Sequence, residues 1–471
     1  MTRYERYAQE IAQLIRTRAL RPGDRLPSVR QASASRGISA ATVFEAYYLL
    51  EARGLVEARP RSGYYVSAQA LRPEPPLSRP AEGSTPVAIS DLVFEVAGAA
   101  GRRDLVPLGS AFPSPALFPL PQLARHLAGG MRRIDAWRMV EDLAPGNEAL
   151  RRQLALRYGV DGMRVDAAQI VVTNGAMEAL NLCLQAVTRP GDVVAVESPA
   201  FYAALQALER LGLQAVEVAT HPRHGVDLAA LAAVLARHPV RACWFMTNFQ
   251  NPLGSLMPEA ARRELVALLA RHGVPLIEDD VYAELYFGAR KPLPAKAFDE
   301  EGLVMHCSSF SKCLAPGYRV GWVAAGRHAQ AVERLRLMSS LSPAVPSQEA
   351  IAGYLAQGGY ERHLRRLRRS LQQAQQRMLA AIERHFPRDT RVAVPQGGYF
   401  LWLELPAGVD ALALHRRALA QRISLAPGHL FSTDRRFANC VRLNYGHAAD
   451  PRFDAALQTV GALACALARG A

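Results

Sequence analysis

The chain has 471 residues, 50% of them apolar and 21% charged, which is the balance of folded protein, argues against disorder and leads one to expect two or three domains. Its formal net charge of +14 suits a nucleic-acid partner. No run approaches the roughly 18 apolar residues of a membrane span, and Met1-Thr2-Arg3-Tyr4-Glu5-Arg6 has no apolar leader core, so a cytoplasmic protein with no membrane partner is expected.

Residues 1–66 are basic in their own right, with eleven arginines against six acids. Tyr7, Ile11, Leu14 and Ile15 mark one face of a helix that runs out before Arg21-Pro22-Gly23-Asp24. Pro27-Ser28 opens a short second helix to Ser35, with Gly37 beyond its end. Ser39 caps a third helix, on which Val43, Ala46, Tyr47 and Leu50 repeat at helical spacing before Gly54. Leu55–Ala58 and Tyr64–Val66 then read as two strands around Arg59-Pro60-Arg61-Ser62-Gly63. Three helices and a hairpin with an arginine-bearing tip make a winged helix-turn-helix over residues 1–68. Its third helix would enter the major groove, while the tip reaches backbone or minor groove.

Residues 69–104 read as a linker. Pro73, Pro75, Pro76, Pro80 and Pro86 favour a stiff, extended segment over a folded element. From 105 to 471 helical segments alternate with the apolar runs Ile170–Val172, Val193–Val196, Ala242–Phe245, Pro275–Ile277 and Leu303–Met305. That rhythm predicts βαβ units and an α/β body with a mostly parallel sheet. A long arginine-rich helix over about 360–385 and the runs Gly398–Glu404 and Cys440–Asn444 predict a smaller C-terminal α+β subdomain. The six cysteines lack paired spacing and read as thiols of a reducing compartment, with no metal site expected.

Several strand ends carry chemistry. Only three lysines stand against 53 arginines, and one of them, Lys312, lies in Ser309-Phe310-Ser311-Lys312, seven residues before Arg319. An ε-amine can lose its proton and attack a carbonyl, which a guanidinium cannot do, so this segment reads as an imine-forming lysine beside a phosphate cradle. Thr173-Asn174-Gly175-Ala176-Met177 ends another strand and opens a helix, where backbone amides of Gly175, Ala176 and Met177 suit an anion. Asn251-Pro252-Leu253-Gly254 and Glu278-Asp279-Asp280-Val281-Tyr282 follow two further strands. Ligands of open parallel sheets bind beyond the carboxyl ends of strands, so these clusters predict one site.

With these motifs, residues 105–471 resemble the fold-type I, pyridoxal-phosphate-dependent aminotransferases. Gly23-Asp24-Arg25-Leu26-Pro27-Ser28-Val29-Arg30 with Thr42-Val43 resembles the DNA-binding domain of GntR-type regulators, and the fusion resembles the MocR subfamily of bacterial transcription regulators. The resemblance implies pyridoxal 5'-phosphate bound to Lys312 as an aldimine, with Asp279 on its pyridine nitrogen. Asn251 and Tyr282 would lie on its phenolic oxygen and Phe201 would stack on its ring, at a position where many relatives carry tyrosine. Gly175, Ala176, Met177, Ser309, Ser311 and Arg319 would hold its phosphate. Arg442 would grip a substrate carboxylate beside Asn251, a planar two-pronged task.

In the N-terminal unit the resemblance implies DNA contacts from Arg30, Ser39 and Thr42 and, in the wing, Arg59 and Arg61. Ala40-Ala41 stands where relatives often carry a basic or polar residue, which shifts weight to the wing. The implied protein is a homodimeric regulator that binds double-stranded operator DNA and senses an amino acid, an amine or vitamin B6. The alternative is a working transaminase with an accessory DNA-binding module.

Overall fold

The computed structural model describes residues 2–470 apart from 18, 22, 53, 60–61, 68–71, 99–101, 142 and 144. The N-terminal unit begins with α1 (Arg3–Arg16), whose entry is fixed by a capping box: Glu5 N–H donates to Thr2 Oγ1 at 3.4 Å and Thr2 N–H to Glu5 Oε2 at 2.6 Å. Tyr7, Ile11 and Ile15 are buried as expected, but Leu14 lies at the edge of that stripe and stays 39% exposed. A second capping box, Ser28 with Gln31, opens α2 (Val29–Arg36), and Gly37 closes it in the left-handed region at φ +62°. Ser39 Oγ accepts Thr42 N–H at 3.1 Å at the head of α3 (Ala40–Ala52). Val43, Ala46, Tyr47 and Leu50 pack with the α1 stripe into one core, and the Tyr47 hydroxyl donates to Pro27 O at 2.8 Å. Strands β1 (Val56–Arg59) and β2 (Gly63–Val66) pair antiparallel, Val56 opposite Val66. Arg61, expected at the tip, lies outside the described residues.

The expectation of a plain linker over 69–104 needs correction. Residues 84–86 form β3 (Ser84–Pro86) on the edge of the large sheet, and α4 (Ser90–Ala97) buries Leu92, Val93 and Val96 in the body's core. Proline counting missed this because an edge strand tolerates proline, whose missing N–H costs nothing on the unpaired side. Ahead of β3 the chain is pinned at intervals. Arg72 reaches the end of the Gly359–His385 helix, Val392 N–H donates to Pro73 O at 3.1 Å, and Ser78 Oγ accepts Thr220 N–H at 2.8 Å.

The body's large sheet contains β4 (Ile170–Thr173), β5 (Val193–Ser198), β6 (Gln214–His221), β7 (Gly225–Val226), β8 (Val240–Phe245), β9 (Leu276–Asp279), β10 (Val304–Ser309) and β11 (Gly321–Ala324). The order is β3-β6-β5-β8-β9-β10-β11-β4, with β7 pairing β6. Strands β6, β5, β8, β9 and β10 are mutually parallel. Strand β11 runs against β10, and β4 against β11, so β4 again points the same way as the central strands. The carboxyl ends of β4, β5, β8, β9 and β10 therefore share one edge, where the expected clusters emerge. The apolar runs of the sequence do not mark β6, which alternates polar residues with apolar ones, or β11, which opens on a glycine.

After the Gly359–His385 helix, strands β12 (Arg391–Ala393), β13 (Phe400–Glu404), β14 (Ala426–Pro427) and β15 (Cys440–Asn444) form the expected smaller sheet, ordered β12-β13-β15-β14 and wholly antiparallel. Among the described residues no helix is long and apolar enough to cross a membrane.

Candidate functional site

Lys312 follows β10 in a buried turn, and its Nζ donates to Ala111 O at 2.9 Å while lying 3.7 Å from the centre of the Phe112 ring. Burial pulls its pKa down to about 7, with Arg442 and Arg319 acting in the same direction and Asp279 opposing them. The other two lysines are held differently. Lys291 pairs with Asp161 at 2.7 Å and Glu284 at 3.1 Å, and Lys296 with Asp299 at 2.8 Å. Lys296 also reaches a carbonyl, Val304 O at 2.8 Å, but among the described residues Lys312 is the lysine with no carboxylate paired to its amine, and it leans toward the uncharged, nucleophilic form.

Asp279 ends β9 with 1% exposure, and among the described residues its Oδ1 has no hydrogen-bond partner. Burial and the neighbouring Asp280 push its pKa up to about 7, against the pull of Lys312. Behind it runs a buried chain that sequence reading did not find. Asp280 accepts from Asn248 Nδ2 at 3.0 Å and meets His306 Nε2 at 2.9 Å; His306 Nδ1 meets the Tyr158 hydroxyl at 2.6 Å; Trp322 Nε1 donates to that hydroxyl at 2.9 Å. An indole N–H can only donate, so the Tyr158 oxygen accepts there; a neutral His306 ring facing a carboxylate through Nε2 has Nδ1 free to accept the Tyr158 proton. His306 follows no local motif, and only the pairing of β10 with β9 brings it beside Asp280.

A cradle forms where β4 ends. Gly175 takes φ +92°, and a methyl group there would run into the Arg319 guanidinium. Gly321 is as constrained, because a Cβ would come within 2.5 Å of the Gly175 carbonyl carbon. Arg319 donates from Nη2 to Asn174 O at 3.0 Å and from Nη1 to Ser311 Oγ at 3.3 Å, while Ser311 N–H reaches Ser309 Oγ at 3.3 Å. The Ala176–Val187 helix that begins with Ala176 and Met177 has no side-chain cap at Gly175. Its dipole and first amides face an arginine and two serines, a setting suited to an anion.

Arg442, on β15, is fully buried. Its Nη1 donates to Asn251 Oδ1 at 2.9 Å, its Nη2 to Gly109 O at 2.7 Å, and its guanidinium lies 4.2 Å from the Phe400 ring centre. Among the described residues Asn251 Nδ2 is buried without a partner. Tyr282 packs edge-on against Tyr399 and Phe400, and burial raises its pKa. Tyr399 in turn donates to the same Ala111 carbonyl that Lys312 uses, at 3.0 Å. Phe201 precedes the Tyr202–Arg210 helix, half-buried, with its ring 5.1 Å from that of Tyr202. The segment 109–112, for which the sequence offered no signal, thus spans Lys312 and Arg442 through its carbonyls.

In the N-terminal unit Arg30 is exposed, and Ser39 and Thr42 bond each other at the head of α3 through hydroxyls 2.8 Å apart. Arg59 is engaged on the hairpin by Glu57 at 2.6 Å and by the Tyr65 ring at 4.3 Å.

Residues 144–458 match the aminotransferase class I and II family, and residues 3–66 match the bacterial regulatory proteins of the gntR family. Along nearly its whole length the chain is similar to the uncharacterized HTH-type transcriptional regulator YdcR of Escherichia coli, 48% identical over 98% of this chain and 99% of the relative. A 2-aminoadipate transaminase of Thermus thermophilus is 33% identical over 73% of this chain and 86% of its own. The crystal structure of the Thermus thermophilus α-aminoadipate aminotransferase LysN, complexed with N-(5'-phosphopyridoxyl)-L-leucine, superposes with a TM-score of 0.73 at 28% identity, covering 82% of this chain and all of that one.

Proposed function

Because the chain belongs to the aminotransferase class I and II family and carries a GntR-family unit ahead of that body, we propose that it is a DNA-binding transcription regulator whose body holds pyridoxal phosphate on Lys312 and responds to an amino acid, an amine or vitamin B6. The observation that carries this reading is the state of Lys312: a half-buried lysine whose amine is drawn toward neutrality and bonded to a carbonyl, in a chain whose other lysines are paired with carboxylates.

The residues fit the group. The unpartnered Asp279 Oδ1 suits a protonated ring nitrogen, and the unpartnered Asn251 Nδ2 suits a phenolic oxygen with Tyr282. The Gly175 cradle, with Ser309, Ser311 and Arg319, suits a phosphate. When bound, pyridoxal phosphate supplies an aldehyde that condenses with amines and a ring that accepts electron density. The chain's own part is to favour the uncharged Lys312 amine, present the Asp279 carboxylate as acceptor to the ring nitrogen, and offer the Arg442 guanidinium to a carboxylate. Phe201 is the candidate for the ring face. Arg30, Ser39, Thr42 and Arg59 are the candidate DNA contacts, and two subunits on paired half-sites would match a two-fold operator.

The test is covalent labelling and response. Borohydride reduction of the loaded protein is expected to fix the label on Lys312, and Lys312→Ala to lose it with the fold intact. A label on Lys291 or Lys296 overturns the assignment. Amino acids and amines are then screened for a change in absorbance and in operator affinity. Sustained keto-acid production would favour the transaminase reading, for which the intact Lys312, Asp279 and Arg442 set speaks.

A further inference from the structure

Helix α3 is the element a helix-turn-helix lays in the major groove, yet among its 13 residues there is no lysine or arginine. One face is spent on the core. The opposite stripe carries Ala40, Ala41, Phe44 and Tyr48, the two rings 51% and 59% exposed. These positions recur at three- and four-residue spacing, so they form one apolar ridge beginning at the helix head. Of the two acids on α3, Glu51 is turned to the hairpin, where its Oε1 accepts Ala58 N–H at 3.0 Å, and Glu45 is exposed on the flank of the ridge, one turn beyond Ala41 and outside its Ala40, Ala41 and Phe44 head.

The arginines of residues 1–66 all lie off this helix; Arg25, Arg30, Arg36 and Arg59 are exposed around it. Charge complementarity therefore fits the phosphates of a duplex to the flanks and leaves the groove floor to the apolar ridge. Arginine and lysine read guanine there; alanine and phenylalanine touch the one apolar group the groove presents, the thymine 5-methyl. Base edges are contacted from the N-terminal part of such a helix, which here is Ala40, Ala41 and Phe44.

We infer that α3 reads thymine methyl groups through Ala40, Ala41 and Phe44, so that the operator half-site carries T·A pairs where this helix enters. The inference rests on the DNA-binding reading above and departs from the expectation that Ala40-Ala41 moves sequence reading to the wing. Orientation comes from the arginines and specificity from methyl burial.

The experiment uses the full chain and a random duplex library. Bound duplexes are selected, the enriched site is resynthesised, and each thymine is replaced in turn by deoxyuridine, which pairs identically but lacks the methyl. Burying one such carbon is worth ~0.8 kcal/mol, about four-fold in affinity. Enriched thymines that each lose about four-fold as uracil, with the loss at one of them abolished in Phe44→Ala, support the inference. Tight, sequence-selective binding indifferent to uracil at every position overturns it while leaving the DNA-binding reading intact. Failure to enrich any duplex overturns both; if Phe44→Ala then also breaks self-association, the ridge pairs copies of this chain instead.

Discussion

Asn251 Oδ1 accepts from Arg442 Nη1 at 2.9 Å, while among the described residues the Asn251 amide nitrogen is buried without a partner. An unsatisfied buried amide costs on the order of 1–3 kcal/mol. Among the described residues the pair therefore holds two orphaned donors, Asn251 Nδ2 and Arg442 Nε, the latter on a guanidinium whose Nη2 is bonded to the backbone at Gly109.

A carboxylate taking Nη2 of Arg442 competes with the carbonyls of Gly109 and Ser110, the neighbours of the carbonyl that holds Lys312. Arg442→Ala is expected to keep cofactor on Lys312 and basal operator affinity, and to lose the response to an amino-acid effector. The missing charge-assisted contact is worth about 1.5–3 kcal/mol, or roughly ten- to a hundred-fold in effector affinity. Operator affinity with and without effector, side by side for both proteins, measures it. A mutant that responds as the wild type does points to an amine or the vitamin.

The Lys312 amine attacks only when neutral, and its pKa is drawn down to about 7. Cofactor uptake by the apoprotein should therefore rise with pH through about 7, not through the range of a free lysine near 10.4. Arg442→Gln removes a like charge, makes the ammonium easier to keep and moves the midpoint up. Asp279→Asn removes an opposite charge and moves it down. Initial uptake rates across pH 5–11 (roughly, spanning both values) give the midpoints; shifts in one common direction would contradict the electrostatics.

Asp280 accepts from Asn248 and lies against His306, and it helps raise Asp279. Asp280→Asn is expected to lower the Asp279 midpoint from about 7 toward the ordinary carboxylate range. The sign follows because the removed anion had disfavoured a second negative charge beside it. Infrared titration of the protonated Asp279 carboxyl band in apoprotein would read this directly. An unmoved band means the chain behind Asp279 is structural.

Arg72 donates to Glu383 Oε2 at 2.9 Å and to the carbonyls of Ile382 at 3.0 Å and Pro387 at 2.6 Å. It caps a helix end whose last carbonyls lack intrahelical donors. Arg72→Ala should destabilise the body by about 1.5–3 kcal/mol. Hydrogen exchange would locate the loss: amides near 382–390 should exchange faster, while those of α1–α3 stay unchanged. Unchanged exchange there would make this contact dispensable.

Local chemistry was legible in the chain. Ser28 and Ser39 announced their helices because capping needs only residues within one turn, and Gly37 announced an end because few other residues take its left-handed φ. Apolar runs gave five of the sheet's strands, and lysine scarcity singled out Lys312, since that chemistry has no arginine substitute. Tertiary structure decided what depends on distant partners. The proline-rich stretch reads as linker until β6 offers an edge for β3 and the core receives α4. His306 acquires meaning only when β10 lies against β9, and Ala111 only when its loop closes over Lys312. Sequence fixes the propensity of a segment, but a side chain's role follows from its neighbours, and here these come from residues far away along the chain.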